Sequence, residues 1–255
     1  MSFTEAFFLA VIQGLTEFLP VSSSGHLVLF QKLMNFGTPP VLFDILLHFG
    51  TLGSILVFFR KEIIDIIKNL KNNQKLLTLL IVASVPAAFF GFFLSGLVEN
   101  LFNSLVLVGV AWIFGGSIIV STSKFNKKDV KENTKEIKLG DALFIGFFQS
   151  LALFPGISRS GTTISSGLFR NLSRSQAFSF SFLLAIPAIV GATGLQIIKA
   201  DFSEVLSLVN LLSTLIAGFI GYIALVLLKK ALKNEKFYYF GFYCILLGII
   251  VLLFA

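Results

Sequence analysis

The chain has 255 residues, of which 56% are hydrophobic and 13% charged, with 31 Phe against 4 Tyr and 1 Trp, and a mean hydropathy of +0.91. A water-soluble domain carries about 25% charged residues, so this chain has half the charge needed to cover a wet surface and its solvent must be lipid. The net charge of +7 does not point to nucleic acid, because 11 of the 20 Lys and Arg lie in two stretches, Arg60 to Lys75 and Lys124 to Lys138, as the positive-inside rule places them in cytoplasmic loops.

In chain order, the first apolar stretch runs from about 3 to 35 and is broken by Pro20, Ser22, Ser23, Ser24 and Gly25. No Lys or Arg precedes Lys32, and Glu5 and Glu17 interrupt the run, so it reads as retained sequence rather than a signal peptide. Apolar segments follow at 41 to 59, 76 to 95 and 101 to 123. A second broken stretch covers 139 to 169, interrupted by Pro155, Gly156, Ser158, Ser160 and Gly161, and three more segments complete the chain at 176 to 198, 205 to 228 and 237 to 255. Each of the six is long enough to cross a bilayer as a helix, whereas half a broken stretch is not. The single Cys244 excludes an intrachain disulfide.

A helix, a Ser/Gly-rich break and a second short helix describe a re-entrant hairpin, and irregular backbone survives at membrane depth only inside protein or beside a watery cavity. Two breaks therefore predict one polar cavity. They also match each other: Gln13, Leu15, Ser22, Ser24 and Gly25 correspond to Gln149, Leu151, Ser158, Ser160 and Gly161. Each hairpin is followed by three spans, an odd number. The halves 1–123 and 139–255 of a single membrane domain, 1–255, are thus expected to run in opposite senses as an inverted-topology repeat, with the site at the repeat interface. The fold class expected is an all-α polytopic membrane protein of six transmembrane helices plus two re-entrant helical hairpins. Pro86 and Pro187 fall outside the correspondence and read as separate helix kinks.

Gln13 and Glu17 are four apart, so a helix over 5 to 19 stacks them on one face, just ahead of Ser22, Ser23, Ser24 and His26. An ionisable group deep in the bilayer costs about 2.5–3.5 kcal/mol on insertion scales and is a functional candidate by default. The plainer reading puts Glu17 at the interface and uses the serines as helix caps. The second break supplies Ser158, Arg159, Ser160, Thr162 and Thr163, and Arg159 is the only charged residue between Asp141 and Arg170. Its guanidinium is always charged and presents a fork of donors that matches two phosphate oxygens. Gly161 lets backbone amides approach a ligand, and together these groups read as an oxyanion receptor. A structural pair between Arg159 and Glu17 is compatible with that reading, since a carboxylate can hold the arginine until substrate arrives. Asp44 and His48, also four apart, could relay protons or ligate a metal; the plainer reading has them support the first hairpin. Two histidines and no Cys cluster argue against zinc, whereas a hard cation, Mg²⁺ or Ca²⁺, suits carboxylate, amide and phosphate oxygens.

Four motifs now stand together: QGLTEFLPVSSSGH at 13–26, FDILLHFGTL at 43–52, LFPGISRSGTT at 153–163 and FSFLLAIPA at 180–188. In combination they resemble, over essentially the whole chain, the undecaprenyl-diphosphate phosphatase family of bacterial membrane enzymes, also called bacitracin-resistance proteins. The resemblance implies a multi-pass protein of the bacterial cytoplasmic (inner) membrane. It would remove the terminal phosphate of undecaprenyl diphosphate with a divalent cation, Mg²⁺ or Ca²⁺, recycling the carrier for cell-wall synthesis, at a site facing the outer side. Gln13 and Glu17 fall on the family's acidic motif, whose first position is Glu or Gln, so one carboxylate of some members is missing here. Ser23 and His26 fall on its PVSSSGH-type loop, and Ser158 and Arg159 on its PGxSRSG loop.

The residues expected to be catalytic are Glu17, Ser23, His26 and Arg159, with substrate contacts from Gln13, Ser22, Ser24, Ser158, Ser160 and Thr162 and the metal at Glu17. In the expected reaction Arg159 grips the diphosphate, Ser23 or a water attacks the terminal phosphorus in line, and His26 manages the proton; the attacking group stays open. The partners expected are a prenyl diphosphate lipid and the bilayer, not nucleic acid, with a homodimer left open. The prenyl chain needs an apolar groove between spans, whose lining the sequence does not name. The rival reading is a lipid or anion transporter or flippase on the same inverted repeat, against which stands the concentration of nucleophile, base and arginine at the breaks.

Overall fold

Residues 2–34, 41–94, 104–125, 135–197 and 207–254 are described in a computed structural model of the chain. The centre of the second basic stretch, 126–134, and the ends of several expected segments (35, 95, 101–103, 198, 205–206 and 255) lie outside the described residues. Among the described residues every regular element is a helix. In chain order these are α1 (Phe3–Phe18), α2 (Ser23–Leu33), α3 (Val41–Phe58), α4 (Arg60–Lys68), α5 (Leu70–Phe93), α6 (Leu105–Ser121), α7 (Leu139–Leu151), α8 (Arg159–Phe169), α9 (Arg174–Ile197), α10 (Leu208–Lys233) and α11 (Tyr239–Phe254).

Four of these regions, Leu70–Phe93, Leu105–Phe125, Arg174–Gly194 and Leu208–Lys233, are long and apolar enough to cross a membrane, and α3 with α4, bent by 74° where they meet, passes the same test only as a pair. The chain is thus an all-helical, multi-pass membrane protein. The segment 237 to 255 forms α11, an apolar helix of 16 described residues. One expectation needs correction. Part of the first basic stretch, expected as a loop, is the helix α4: Ile63, Ile66 and Ile67 recur at helical spacing among Lys61, Glu62, Asp65 and Lys68, the pattern of a helix lying along an interface. Pro86 and Pro187 sit within α5 and α9, which continue through them.

Both expected helix–break–helix units are present, α1 with α2 and α7 with α8. Ser2 and Glu5 close a capping box at the start of α1. At its end Leu19 turns extended, as a residue preceding proline is driven to do. The packing is crossed: α1 and α3 lie against α10, α7 lies against α5, and α6 pairs with α11. Small residues permit these approaches, as is usual between helices in lipid. A Cβ at Gly146 of α7 would collide with the carbonyl oxygen of Ala83 in α5, and one at Gly50 of α3 with that of Thr214 in α10. The basic segments collect at one end of the bundle: Lys75 pairs with Glu136, Lys135 and Arg170 both bind the buried Asp141, and Arg174 pairs with Glu235.

Candidate active site

The first break begins where Pro20 ends α1. Ser22 adopts φ 69°, a left-handed conformation that a side-chain-bearing residue holds only when its surroundings enforce it. Its hydroxyl accepts the amide N–H of Gly25, capping α2 at 3.3 Å, and also that of Gly156 in the second break at 3.1 Å. The two breaks are therefore joined directly, 134 residues apart in sequence. Gly156 has φ 101°, and a Cβ there would lie 2.6 Å from the carbonyl oxygen of Val108, so glycine is required on both counts. Ser158 then caps α8 through the Gly161 N–H at 3.1 Å, which sets Arg159 as the first residue of that helix.

The carboxylate of Glu17 is the point of convergence. Oε1 accepts from Arg159 Nη2 at 2.8 Å; Oε2 accepts from Ser23 Oγ at 2.7 Å and from Gln13 Nε2 at 3.1 Å. His48 Nε2 stands 4.0 Å from the same Oε2. Glu17 and Arg159 are only 8% and 15% exposed at their side chains, so removing either would strand its partner, at a cost of about 3–5 kcal/mol. They border a cavity of about 270 Å³ whose wall also includes Ser22, Ser23, Ser24, His48, Gln149, Ser158 and, from α5 and α9, Ala87, Ala188 and Thr193. Three buried polar atoms on this wall have no partner among the described residues: Arg159 Nη1 and both the Nε2 and Oε1 of Gln149. Unsatisfied buried polar groups are costly, and here they surround a space that a polar ligand would fill.

Of the residues singled out in the sequence, Glu17, Ser22, Ser23, Ser24, Ser158 and Arg159 come to this wall. Gln13 lies one layer behind, fully buried and bonded to Glu17. Ser160 and Thr162 are also buried, their hydroxyls spent on Ser158 Oγ and on the carbonyls of Ser158 and Arg159. His26 is not on the wall. Its Nδ1 bonds the carbonyl oxygen of Ser22 at 2.7 Å and its Nε2 the hydroxyl of Tyr243 at 2.8 Å. It stacks on that ring and meets Trp112 edge-on, while Trp112 Nε1 donates to Val21 O at 2.9 Å. A carbonyl only accepts, so Nδ1 carries a proton, and in the neutral ring Nε2 accepts from Tyr243. Both nitrogens are committed.

Gln149 and Thr193 are polar residues of the wall that the sequence reading does not nominate. Gln149 was visible as the counterpart of Gln13, which is the signal that could have nominated it. For His48 the sequence leaves a proton relay or metal ligand open beside support of the hairpin, and the structure brings it to the wall. Its Nδ1 donates to the Asp44 carbonyl at 2.8 Å, which leaves Nε2 turned toward Glu17 and the cavity.

Among the described residues no cluster of three or more His, Cys, Asp and Glu could hold a metal ion. Among the described residues Glu17 is the one carboxylate on the cavity wall, accompanied by the unpaired amide oxygen of Gln149. Such an all-oxygen set fits a hard divalent cation that takes its remaining ligands from phosphate and water.

The fold and this site define a polytopic, all-helical membrane protein with a buried polar cavity where two helix breaks meet. The chain belongs to the family described as Bacitracin resistance protein BacA, whose model matches residues 6–250. It is 40% identical to undecaprenyl-diphosphatase 3 of Bacillus cereus over 258 residues, covering 99% of this chain and 97% of that protein. The undecaprenyl-diphosphatase of Desulforapulum autotrophicum is 42% identical, with 95% and 94% of the two chains covered, and that of Thermosipho africanus 41% identical, with 95% and 96% covered.

Proposed function

We propose that the protein hydrolyses undecaprenyl diphosphate to undecaprenyl phosphate and phosphate at the Glu17–Arg159 cavity. The observation that carries the reading is the divided guanidinium of Arg159: Nη2 is held by Glu17, while the buried Nη1 has no partner among the described residues. A fixed cation with unspent donors in a small cavity is matched to phosphate oxygens.

In this mechanism Arg159 Nη1 and the Gln149 amide bind the terminal phosphate. Glu17 accepts the Ser23 proton, and Ser23 Oγ attacks phosphorus in line as the bond to the bridging oxygen breaks, releasing undecaprenyl phosphate. The departing phosphate takes the proton from Glu17, which then accepts one from a water; that water's oxygen bonds phosphorus as the bond to Ser23 Oγ breaks, and Glu17 returns the proton to Ser23 Oγ, releasing phosphate. The 2.7 Å bond from Ser23 to Glu17 favours the serine over a free water as first nucleophile, a hydroxyl activated by an adjacent base. His48, through its cavity-facing Nε2, moves the proton between Glu17 and the phosphate oxygens, while His26 holds the backbone of Ser22 from behind. A divalent cation, Mg²⁺ or Ca²⁺, would be held by Glu17 and the amide oxygen of Gln149, and would neutralise charge on the diphosphate.

The six-span, two-hairpin inverted repeat is supported by the crossed packing of each α1- or α7-type helix on the second long helix of the other half. The loop charges support an inward-facing basic end, and the family resemblance supports placement in the bacterial cytoplasmic membrane with the cavity toward the outer side. The test is release of phosphate from undecaprenyl diphosphate by the purified protein with added Mg²⁺ or Ca²⁺. We expect wild-type turnover, a loss of at least about 10³-fold in Arg159→Ala and Glu17→Ala, and labelled phosphate trapped on Ser23. A folded wild-type protein that releases no phosphate but moves the lipid across vesicles would support transport instead.

A further inference from the structure

We propose that the groove between α5 and α9, floored by α4, seats the head-proximal part of the substrate's prenyl chain. This rests on the diphosphatase reading. Two helix pairs occupy corresponding places in the fold: each joins the first long helix after one break to the second long helix after the other. In one, α3 with α10, the backbones are in contact. Gly50 packs where any Cβ would strike the Thr214 carbonyl, Gly218 sits against the Gly50 carbonyl, and Ser54 Oγ donates across the seam to Gly218 O at 2.5 Å. In the other, α5 with α9, the helices touch along far less of their length, and no glycine packs one against the other: a Cβ at Gly191 or Gly194 of α9 would meet nothing within 4 Å, and one at Gly91 of α5 would meet only Leu153 of the second break. The seam that is shut in one half stands open in the other.

The opening is a cavity of about 490 Å³ lined by residues that include Ile66, Leu80, Val85, Ala88, Leu183 and Pro187. That volume lies within the range of small-molecule sites. Its single hydroxyl, of Ser84, is spent on the carbonyl of Leu80 at 2.8 Å, so the groove offers hydrocarbon contact and nothing for a headgroup. Its upper end abuts the polar cavity residue by residue: Ala88 and Pro187 line the groove, and their neighbours Ala87 and Ala188 line the polar cavity. A ligand that fills both must be charged at one end and apolar directly behind it. That is the shape of a prenyl diphosphate, and it distinguishes this occupant from a free phosphate, which needs only the polar cavity, or from an ordinary acyl chain lying on the outside of the bundle. Pro86 and Pro187, the residues that the repeat does not account for, stand at this junction. Neither α5 nor α9 carries the glycine seam that closes the other pair.

Val85→Trp obstructs the middle of the groove and Leu77→Trp its far end near α4. Hydrolysis of undecaprenyl diphosphate and of the much shorter farnesyl diphosphate is compared in each. Val85→Trp is expected to raise KM for both lipids by about tenfold, equivalent to one or two lost methylene contacts, with kcat unchanged. Leu77→Trp is expected to raise KM for the long lipid alone. As a readout independent of turnover, a prenyl diphosphate carrying a photoreactive group on its first units should crosslink to residues within 77–88 and 183–187. Unaltered KM in both variants, or crosslinks confined to α3 and α10, would overturn the proposal. Crosslinks in the groove by a protein that hydrolyses neither lipid would leave the seat standing and overturn the diphosphatase reading instead.

Discussion

The α3–α10 and α5–α9 pairs compare one structural problem solved in two ways. Both bring a long helix that follows one break against a long helix of the other half. The first closes the seam with glycines, carries His48 on its inner face and presents it to Glu17 at 4.0 Å. The second keeps bulky aliphatics and prolines, and the space it leaves lies beside the polar cavity and reaches α4. A bundle built of two like halves would place an equally open or equally closed seam on both sides. Here one seam is rigid, and it holds a chemical group; the other is open, and it borders the lipid. Catalysis needs a fixed wall and a membrane substrate needs a way in, and dividing the two tasks between related positions serves both.

The largest test of the division is at His48, on the closed seam. His48→Asn is expected to lower kcat by about 10²–10⁴-fold, the range of a lost general acid or base, with the melting temperature in detergent unchanged. His26→Asn, behind the wall, should do the reverse. It breaks buried hydrogen bonds worth about 1–3 kcal/mol and lowers the melting temperature by several degrees, and any loss of activity should follow the fraction unfolded. A silent His48→Asn together with an inactive but stable His26→Asn would exchange the two roles.

Gly50→Ala tests the seam itself. Its Cβ would meet backbone that cannot step aside, an overpacking expected to cost about 1–3 kcal/mol and, because Gly50 lies two residues from His48, to depress kcat along with the melting temperature. Gly91→Ala in α5, the helix of the open seam, meets only the Leu153 side chain at 3.6 Å and should leave both values alone. Equal effects at the two glycines would erase the contrast. The smallest effect is expected at the basic end of α5, where Lys75 pairs with Glu136 and both are well exposed. The hydrogen bond from Lys75 holds the Glu136 carboxyl below its usual range. Its stabilisation is therefore present above the ordinary carboxylate range and is lost as pH falls through the lowered value. Solvent and salt screen such a pair, so Lys75→Ala should shift neither melting temperature nor activity measurably at neutral pH.

Much of this architecture is legible in the sequence because the breaks announce themselves. Pro20 and Pro155 beside runs of Ser and Gly can neither continue a helix nor rest in lipid unsatisfied, so two meeting hairpins follow, and the pairing of Glu17 with Arg159 is one of the arrangements they allow. What is not legible depends on rotation about helix axes. Sequence spacing puts Asp44 and His48 on one face of α3 but does not say that this face turns toward Glu17. Nor does it say that His26, in the more suggestive motif, turns away to Tyr243, 217 residues later. Helix α4 was hidden because charges at helical spacing look like loop composition. The groove was hidden because an open seam and a closed one use the same apolar residues, and only Gly50 and Gly218, against Pro86 and Pro187, mark the difference.

The central claim is that two breaks remote in sequence act as one chemical unit through the 2.8 Å contact of Glu17 with Arg159. A double-mutant cycle on kcat/KM for undecaprenyl diphosphate, using Glu17→Gln, Arg159→Gln and the double variant, tests it most directly. Residues that work as a unit are strongly non-additive, so the double variant is expected to be no worse than the poorer single one. Losses that multiply would mean that the two residues act independently, and would contradict the account.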